Sequence, residues 1–266
     1  MYDILIEKIR YNYLILFFLS IVIIVFSTLL SLKSGPYGGI LIIAISLVPF
    51  VQIYNKIIEK DEMISEKIKS KKNIFLRYKE YFIISFVIFF ASIFGFYISY
   101  LINHNLFYPQ IQTIESIRRD IIALSYANVI YTNSFFTYIL YNNMMVLLLF
   151  FAFSIIFGAG AIYLLLWNAS IIGVFLGLKA SEYMSNNIIH KFVLVPAISL
   201  IEILPHGILE FLGYFLAALA GNVLSIAFIK NLDRESLENI LSDSLALLVL
   251  AILFIFIAAV IEAYII

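Results

Sequence analysis

The chain has 266 residues, a formal net charge of zero and no cysteine; 64% of its residues are hydrophobic and only 13% are charged. This composition excludes an ordinary soluble domain, and the absence of cysteine excludes disulfides, thiolate nucleophiles and cysteine-ligated metal centres. A neutral chain also offers no broad attraction for nucleic acid. Several apolar runs of about 20 residues follow one another, so we predict an all-α, polytopic transmembrane helix bundle.

Three apolar runs open the sequence and predict three membrane-spanning helices. Two of them lie within residues 1–55, at 11–32 and 34–55, and the third covers 81–102. The connector between them, residues 56–80, holds eight Lys or Arg against five Asp or Glu. By the positive-inside rule this connector and the N-terminus are predicted to be cytoplasmic. Its charge spacing also favours a helical connector at the membrane surface.

By the same rule residues 103–143 follow the third span on the outer side of the membrane. Their mixed polar and apolar pattern predicts an extracytoplasmic segment that lies partly along the bilayer, and it is too short for an independent enzyme domain. Residues 144–266 are the predicted C-terminal membrane core. This core is expected to begin with a span at about 144–166, because polar residues bracket that apolar run.

Within the core, residues 188–229 are apolar but interrupted by prolines and a glycine. Because proline removes a backbone donor and glycine is conformationally permissive, we predict a broken or re-entrant helix around Pro205 and Gly207. Such a break survives at membrane depth only where protein or a cavity surrounds it. The predicted number of membrane segments is therefore six or seven, depending on whether this element crosses once or twice.

Strongly polar side chains inside these apolar runs mark a candidate site. A charged group near the bilayer centre costs about 2.5 to 3.5 kcal/mol on insertion scales, so such residues face protein or water and need partners. In a continuous helix His206 and Glu210 lie one turn apart, within reach of a hydrogen bond. The predicted intramembrane polar site comprises Glu202, His206, Glu210, Glu262, Asn142, Asn143 and Asn168.

The residues alone leave three functions of this site open. It is a polar clasp between helices, a proton or cation path, or a metal-dependent hydrolase site. The hydrolase alternative lacks a His-Glu-x-x-His signature and a second nearby histidine, and no nucleophilic serine or phosphate-binding motif occurs. We therefore expect no catalytic residue, no metal site and no cofactor, and a protein that is not an enzyme.

The sequence Glu202-Ile-Leu-Pro-His-Gly-Ile-Leu-Glu210 resembles the stage II sporulation protein M family of multi-helix membrane proteins. Similar patterns over about residues 125–266 are Asn142-Asn143, Trp167-Asn168-Ala169 with Gly173 and Gly177, the small residues of 213–221, and Ile261-Glu262-Ala263-Tyr264. The resemblance implies a membrane scaffold, because in sporulating bacteria the family's namesake organises cell-wall hydrolases during engulfment.

Residues and resemblance together lead us to expect a non-enzymatic organiser of envelope or membrane partners. We expect it in the cell membrane, crossing it several times, with the lipid bilayer and other envelope proteins as partners and homo-oligomerisation left open. No nucleic-acid partner is expected. The alternative function is a transporter or channel with a proton- or cation-linked site at the intramembrane Glu and His residues.

Overall fold

The computed structural model describes residues 12–59, 79–127, 132–157, 161–184, 187–229 and 234–264. Within these residues the chain forms helices and no strand. Seven of the helices are long and apolar enough to cross a membrane. The prediction of an all-α polytopic bundle is therefore confirmed. The connector at 60–78 lies outside the described residues.

The eight described α-helices vary in length and in polarity. In chain order they are α1 (Tyr13–Leu30), α2 (Gly38–Glu59), α3 (Lys79–Ile102), α4 (Tyr108–Ala127), α5 (Thr132–Phe157), α6 (Ala161–Glu182), α7 (Val195–Ile229) and α8 (Arg234–Tyr264). Short 3-10 turns, Gly35–Tyr37 and His104–Phe107, precede α2 and α4, and a π-helical turn, His190–Leu194, precedes α7. Helix α4 is the one that is not a candidate span, since Glu115, Arg118, Arg119 and Asp120 interrupt its apolar residues.

Local side-chain chemistry defines the ends of α1. The Oδ1 atom of Asn12 accepts hydrogen bonds from the N–H groups of Leu14 and Ile15 in the first turn of the helix. At the other end the chain reverses at Gly35, which has a φ of 69°. Glycine adopts this left-handed conformation without strain, so the turn into Pro36 and α2 needs glycine there.

The described helices belong to two compact units. Unit 1 contains α1, α2, α3, α4 as far as Arg118, α6 from Ile162, and α7 as far as Ile201. Unit 2 contains α4 from Arg119, α5, α7 from Glu202, and α8. Neither unit is a continuous stretch of sequence.

In unit 1, α3 is the helix on which α1 and α6 pack. Gly95 of α3 lies against the side chain of Ile24 in α1, and the Thr28 hydroxyl donates to the Ser99 hydroxyl at 2.6 Å. On α6, Gly173 meets the backbone of α3 and Gly177 meets a tyrosine ring of the same helix. Small residues at this spacing allow close helix approach, as they do in membrane helix pairs generally.

In unit 2, α7 packs against both α5 and α8. The backbone of α7 at Gly221 meets the carbonyl of Phe151 in α5, and at Gly213 it meets Ile255 of α8. The Ser244 hydroxyl of α8 donates to the carbonyl of Ala220 in α7 at 3.0 Å. The middle of α7 is therefore the core of unit 2.

The predicted helix break at Pro205 and Gly207 is wrong, because α7 runs without interruption from Val195 to Ile229 with Pro205 inside it. Proline removes one backbone hydrogen bond, but membrane helices tolerate this when the rest of the helix is well packed. The departure from α-geometry lies earlier, in the π turn His190–Leu194.

The span predicted at about 144–166 is also wrong, because two helices occupy this region. The candidate spans are Phe135–Ile156 in α5 and Ala161–Glu182 in α6. Asn143 and Asn168 therefore lie inside spans and not at their ends. The last residues of the segment predicted at 103–143 belong to α5.

Candidate functional site

Three helices of unit 2 bring four polar side chains together. The Nδ2 group of Asn143 in α5 donates a hydrogen bond to Oε1 of Glu210 in α7. The Tyr214 hydroxyl, one turn further along α7, donates to Oδ1 of Asn143 at 3.0 Å. The carboxyl groups of Glu210 and Glu262, the latter in α8, lie within hydrogen-bonding reach of each other. We call Tyr214, Asn143, Glu210 and Glu262 the polar cluster.

Helix periodicity and small residues explain why these side chains meet. Glu210 and Tyr214 are four residues apart, so they share one face of α7. Phe150, two turns after Asn143 in α5, stacks on the Tyr214 ring with centroids 5.2 Å apart and fixes its position. Gly213 allows α8 to approach that part of α7 closely enough for Glu262 to reach Glu210.

The members of the polar cluster satisfy one another's hydrogen-bonding capacity. Asn143 is only 7% exposed and Tyr214 only 3% exposed, whereas Glu210 and Glu262 are half-buried. A buried amide or hydroxyl without a partner is unfavourable by several kcal/mol in an apolar medium. The hydrogen bonds within the cluster offset this free-energy cost of burial. They also tie α5, α7 and α8 to one another.

A hydrogen bond between Glu210 and Glu262 requires that one of the two carboxyl groups be protonated. An ionised carboxylate only accepts hydrogen bonds, so a bond between two carboxyl groups needs a proton on at least one of them. The pair can therefore hold one proton within the helix bundle. This is the one arrangement in the cluster that can do chemistry as well as join helices.

His206 lies one turn before Glu210 on α7 and is half-buried. Its Nδ1 atom is buried and has no hydrogen-bond partner among the described residues. Within those residues, moreover, no group of three or more His, Asp or Glu side chains is arranged to hold a metal ion. The histidine is therefore next to the cluster, and a bond from Nδ1 to Glu210 is not formed.

The other predicted site residues lie elsewhere. Glu202 and Asn142 are exposed, and Asn168 belongs to unit 1, where its amide donates to the Leu164 carbonyl of its own helix. Of the predicted site, the structure therefore brings together Asn143, Glu210 and Glu262. Tyr214 was missed, although its position four residues after Glu210 in an apolar run was the signal that could have found it.

Comparison with known proteins agrees with this architecture. A family model described as "Stage II sporulation protein M" matches residues 13–265, which is nearly the whole chain. No curated protein and no solved structure matches the chain. The matched residues therefore include α1 to α4 as well as the motifs around the polar cluster. Seven of the described helices are also long and apolar enough to cross a membrane. The chain belongs to the stage II sporulation protein M family and is a multi-pass membrane protein.

Proposed function

We propose that the protein is a non-enzymatic membrane scaffold that holds other envelope or membrane proteins in place. The observation that supports this proposal is the bonding within the polar cluster, where Asn143, Glu210 and Glu262 join three helices. Hydrogen bonds between membrane helices each contribute roughly 0.6 to 2 kcal/mol. A bundle fixed in this way presents its outer surfaces in a constant arrangement, as a scaffold requires.

Family membership and charge distribution support the rest of the proposal. Organising partners in the envelope is the role that the family resemblance implies, and the cell membrane is the corresponding location. The excess of Lys and Arg in residues 56–80 favours a cytoplasmic N-terminus.

The test is crosslinking of the tagged full chain in cells, followed by purification in mild detergent and mass spectrometry. We expect the same one or two envelope proteins to be recovered with the parent and with Glu202→Leu. Glu210→Leu, which removes the central partner of the cluster, should reduce that recovery. Glu202 is the matched control, because it is the same residue type on the same helix but is exposed.

The control is an unrelated multi-pass membrane protein with the same tag. If the parent recovers no envelope protein above the level of this control, the scaffold proposal is contradicted. Glu210→Gln sharpens the test further. Glutamine can accept from Asn143 and donate to Glu262, so a scaffold should keep its partners in this variant.

A second candidate function is proton- or cation-linked transport, and the bond between Glu210 and Glu262 favours it. Carboxyl and imidazole groups inside membrane helices often form proton relays. The carboxyl pair can hold a proton, and His206 lies one helical turn away with an unpartnered Nδ1. A relay needs groups of this kind that can gain and lose a proton.

Liposomes containing the purified chain and a pH-sensitive dye distinguish the two functions. If the protein conducts protons, Glu210→Gln should abolish flux while the protein stays folded, and Glu202→Gln should not. Equal flux through the parent and Glu210→Gln, or no flux above protein-free liposomes, would remove the transport function.

A further inference from the structure

The polar cluster lies toward one end of unit 2, where α5 begins and α8 ends. The centre of the Phe136 ring, near the start of α5, lies 5.9 Å from the centre of the Tyr264 ring, at the last residue of α8. Glu262 belongs to the same last turn of α8, and its carboxyl group reaches Glu210. The carboxyl pair of the cluster is therefore reached from the end of α8 and not from its middle.

The charge pattern of α8 relates this end of the helix to the membrane. A hydrocarbon core about 30 Å thick is crossed by about 20 helical residues, whereas α8 has 31 residues. Apart from Glu262, its charged residues all lie in 234–243, and residues 244–261 are uncharged. The uncharged stretch is the part that fits the hydrocarbon core. Glu262 therefore lies at the boundary between the core and the aqueous phase.

Counting spans assigns this boundary to one side of the membrane. Residues 56–80 follow the second candidate span, and α8 is the seventh. Because each span changes the side of the membrane, α8 begins on the same side as residues 56–80 and ends on the opposite side. The excess of Lys and Arg in residues 56–80 predicts that they are cytoplasmic. We therefore expect Glu262 at the extracytoplasmic boundary.

The three helices of the cluster provide no fixed positive charge for its carboxyl groups. No Lys or Arg occurs in α5, in α7 or in residues 244–264 of α8. On α7, His206 lies one turn before Glu210 and Tyr214 one turn after it, while Glu202 is exposed. A carboxylate of the pair is therefore balanced by His206, by a proton or by a cation from the aqueous phase. The remaining titratable side chains of these segments are the phenols of Tyr138, Tyr141 and Tyr264.

We propose that the carboxyl pair of Glu210 and Glu262 exchanges its proton with the extracytoplasmic aqueous phase, so that the pH on that side regulates how firmly α8 is joined to α7. A hydrogen bond between the two carboxyl groups holds a proton between the helices. Loss of the last proton leaves two negative charges against each other, and they repel. The inference rests on the proposed role of the polar cluster in joining the helices of unit 2, and it applies to a scaffold and to a transporter alike.

The first experiment measures from which side of the membrane position 262 is reached. Because the chain has no cysteine, Glu262→Cys introduces a single thiol. Right-side-out and inside-out vesicles containing this variant are treated with a sulfonated maleimide that does not cross bilayers. We expect modification from the extracytoplasmic side, roughly tenfold or more faster than that of Leu253→Cys, because a thiol reacts as its thiolate and a thiolate needs water. Leu253 is exposed on the same helix in the middle of the uncharged stretch.

The matched control for the opposite side is Glu235→Cys, which replaces the same residue type in the first turn of α8. It should be modified from the cytoplasmic side. Modification of Glu262→Cys from that side, or from both sides at the slow rate of Leu253→Cys, would overturn the proposal. If Glu262→Cys does not fold, Ala263→Cys in the same turn replaces it and is judged by the same outcomes.

The second experiment tests whether the proton joins the helices. The free energy of unfolding of the full chain is measured by circular dichroism in SDS titrations between about pH 7 and about pH 9.5, where histidine is mostly neutral and tyrosine mostly protonated. We expect the parent to lose stability as the pH rises, because the ionised pair repels. Glu262→Gln donates to Glu210 without titrating and should remove most of this dependence. Glu202→Gln should keep the dependence of the parent.

Three outcomes of the pH titration would overturn the proposal. The first is a parent whose stability does not fall, and the second is the same fall in Glu262→Gln as in the parent, which would assign it to other groups. The third is a dependence that disappears when choline replaces Na⁺, because a metal cation and not a proton would then occupy the pair. Neither experiment measures partner recovery or flux, so failure of this inference is distinguishable from failure of the proposed function.

Discussion

The two units bury different kinds of polar side chain, and they satisfy them in different ways. In unit 1 the buried polar groups are mostly hydroxyls that donate to a carbonyl of their own helix, one turn back. Examples are Ser20 to Leu16, Ser27 to Ile23, Ser46 to Ile42 and Ser99 to Gly95. In unit 2 the amide of Asn143 and the carboxyls of Glu210 and Glu262 bond between helices.

This difference follows from the reach of each side chain and from the number of bonds it must make. A hydroxyl can satisfy itself within its own turn, so it says little about which helix lies beside it. The buried Asn143 amide and the carboxyls of Glu210 and Glu262 carry more donors or acceptors than their own helices satisfy, so they need partners on other helices. The polar cluster therefore determines which helices meet in unit 2, whereas glycines and apolar side chains do so in unit 1.

The largest effect should come from removing the centre of the polar cluster. Glu210→Leu removes the acceptor of the Asn143 Nδ2 group and the partner of Glu262, and a buried group left unsatisfied is unfavourable by about 1 to 3 kcal/mol. We expect the free energy of unfolding to fall by about 3 kcal/mol, measured by circular dichroism as SDS is titrated into mild-detergent micelles. Glu202→Leu, on the exposed face of the same helix, should change it by less than about 0.5 kcal/mol.

A smaller loss of unfolding free energy is expected from Gly221→Ala, where the backbone of α7 lies against the backbone of α5. A methyl group at Gly221 would collide with the Phe151 carbonyl and the Ser154 side chain, so Gly221→Ala must move one helix. Overpacking of this kind costs about 1 to 3 kcal/mol, and we expect about 2 kcal/mol in the same SDS titration. A fully stable Gly221→Ala protein would show that this contact is not close.

In unit 1 the loss of a hydroxyl should matter much less than the loss of a carboxyl does in unit 2. Thr28→Val removes the bond from Thr28 to Ser99 but keeps the shape of the side chain. We expect a loss of about 0.6 kcal/mol, the mean measured for hydrogen bonds between membrane helices. A loss as large as that of Glu210→Leu in the SDS titration would remove the distinction between the units.

The smallest effect is expected at Gly207. In a continuous helix an added methyl group there meets the side chain of Ile203 at 3.0 Å, and no backbone of another helix lies near it. Alanine also favours a helix interior over glycine by roughly 1 kcal/mol. Gly207→Ala should therefore leave stability unchanged within about 1 kcal/mol, whereas a clear loss would argue for an irregular backbone at this point.

The sequence was a good guide to most of the membrane spans, and it singled out two carboxyl residues that meet in the structure. Hydropathy locates long apolar helices, and the high cost of a carboxyl group in a membrane singles out Glu210 and Glu262. It was a poor guide to Asn168, because an asparagine can be satisfied by its own helix, as the bond to Leu164 shows. Tyr214 was missed because a tyrosine is common in an apolar run, and only its spacing of four residues from Glu210 marks it as a partner.

Predictions from the local helix propensity of single residues also failed within the long helix α7. Pro205 and Gly207 individually disfavour a helix, but α7 has 35 residues and a buried middle section that keep it continuous. The Asn142-Asn143 pair predicts the end of a span, yet Asn143 is buried against Glu210 inside one. A polar residue within an apolar run marks either an end or a partner, and the sequence does not distinguish the two.

The central claim is that the polar cluster is one connected unit that joins the helices of unit 2. A double-mutant cycle of Asn143→Leu and Glu210→Leu, read out as the free energy of unfolding in SDS, tests it most directly. Because removing either residue takes a hydrogen-bond partner from the other, Asn143→Leu should cost at least about 1 kcal/mol less in the Glu210→Leu background than in the parent. The same cost in both backgrounds, within about 0.5 kcal/mol, would contradict the claim.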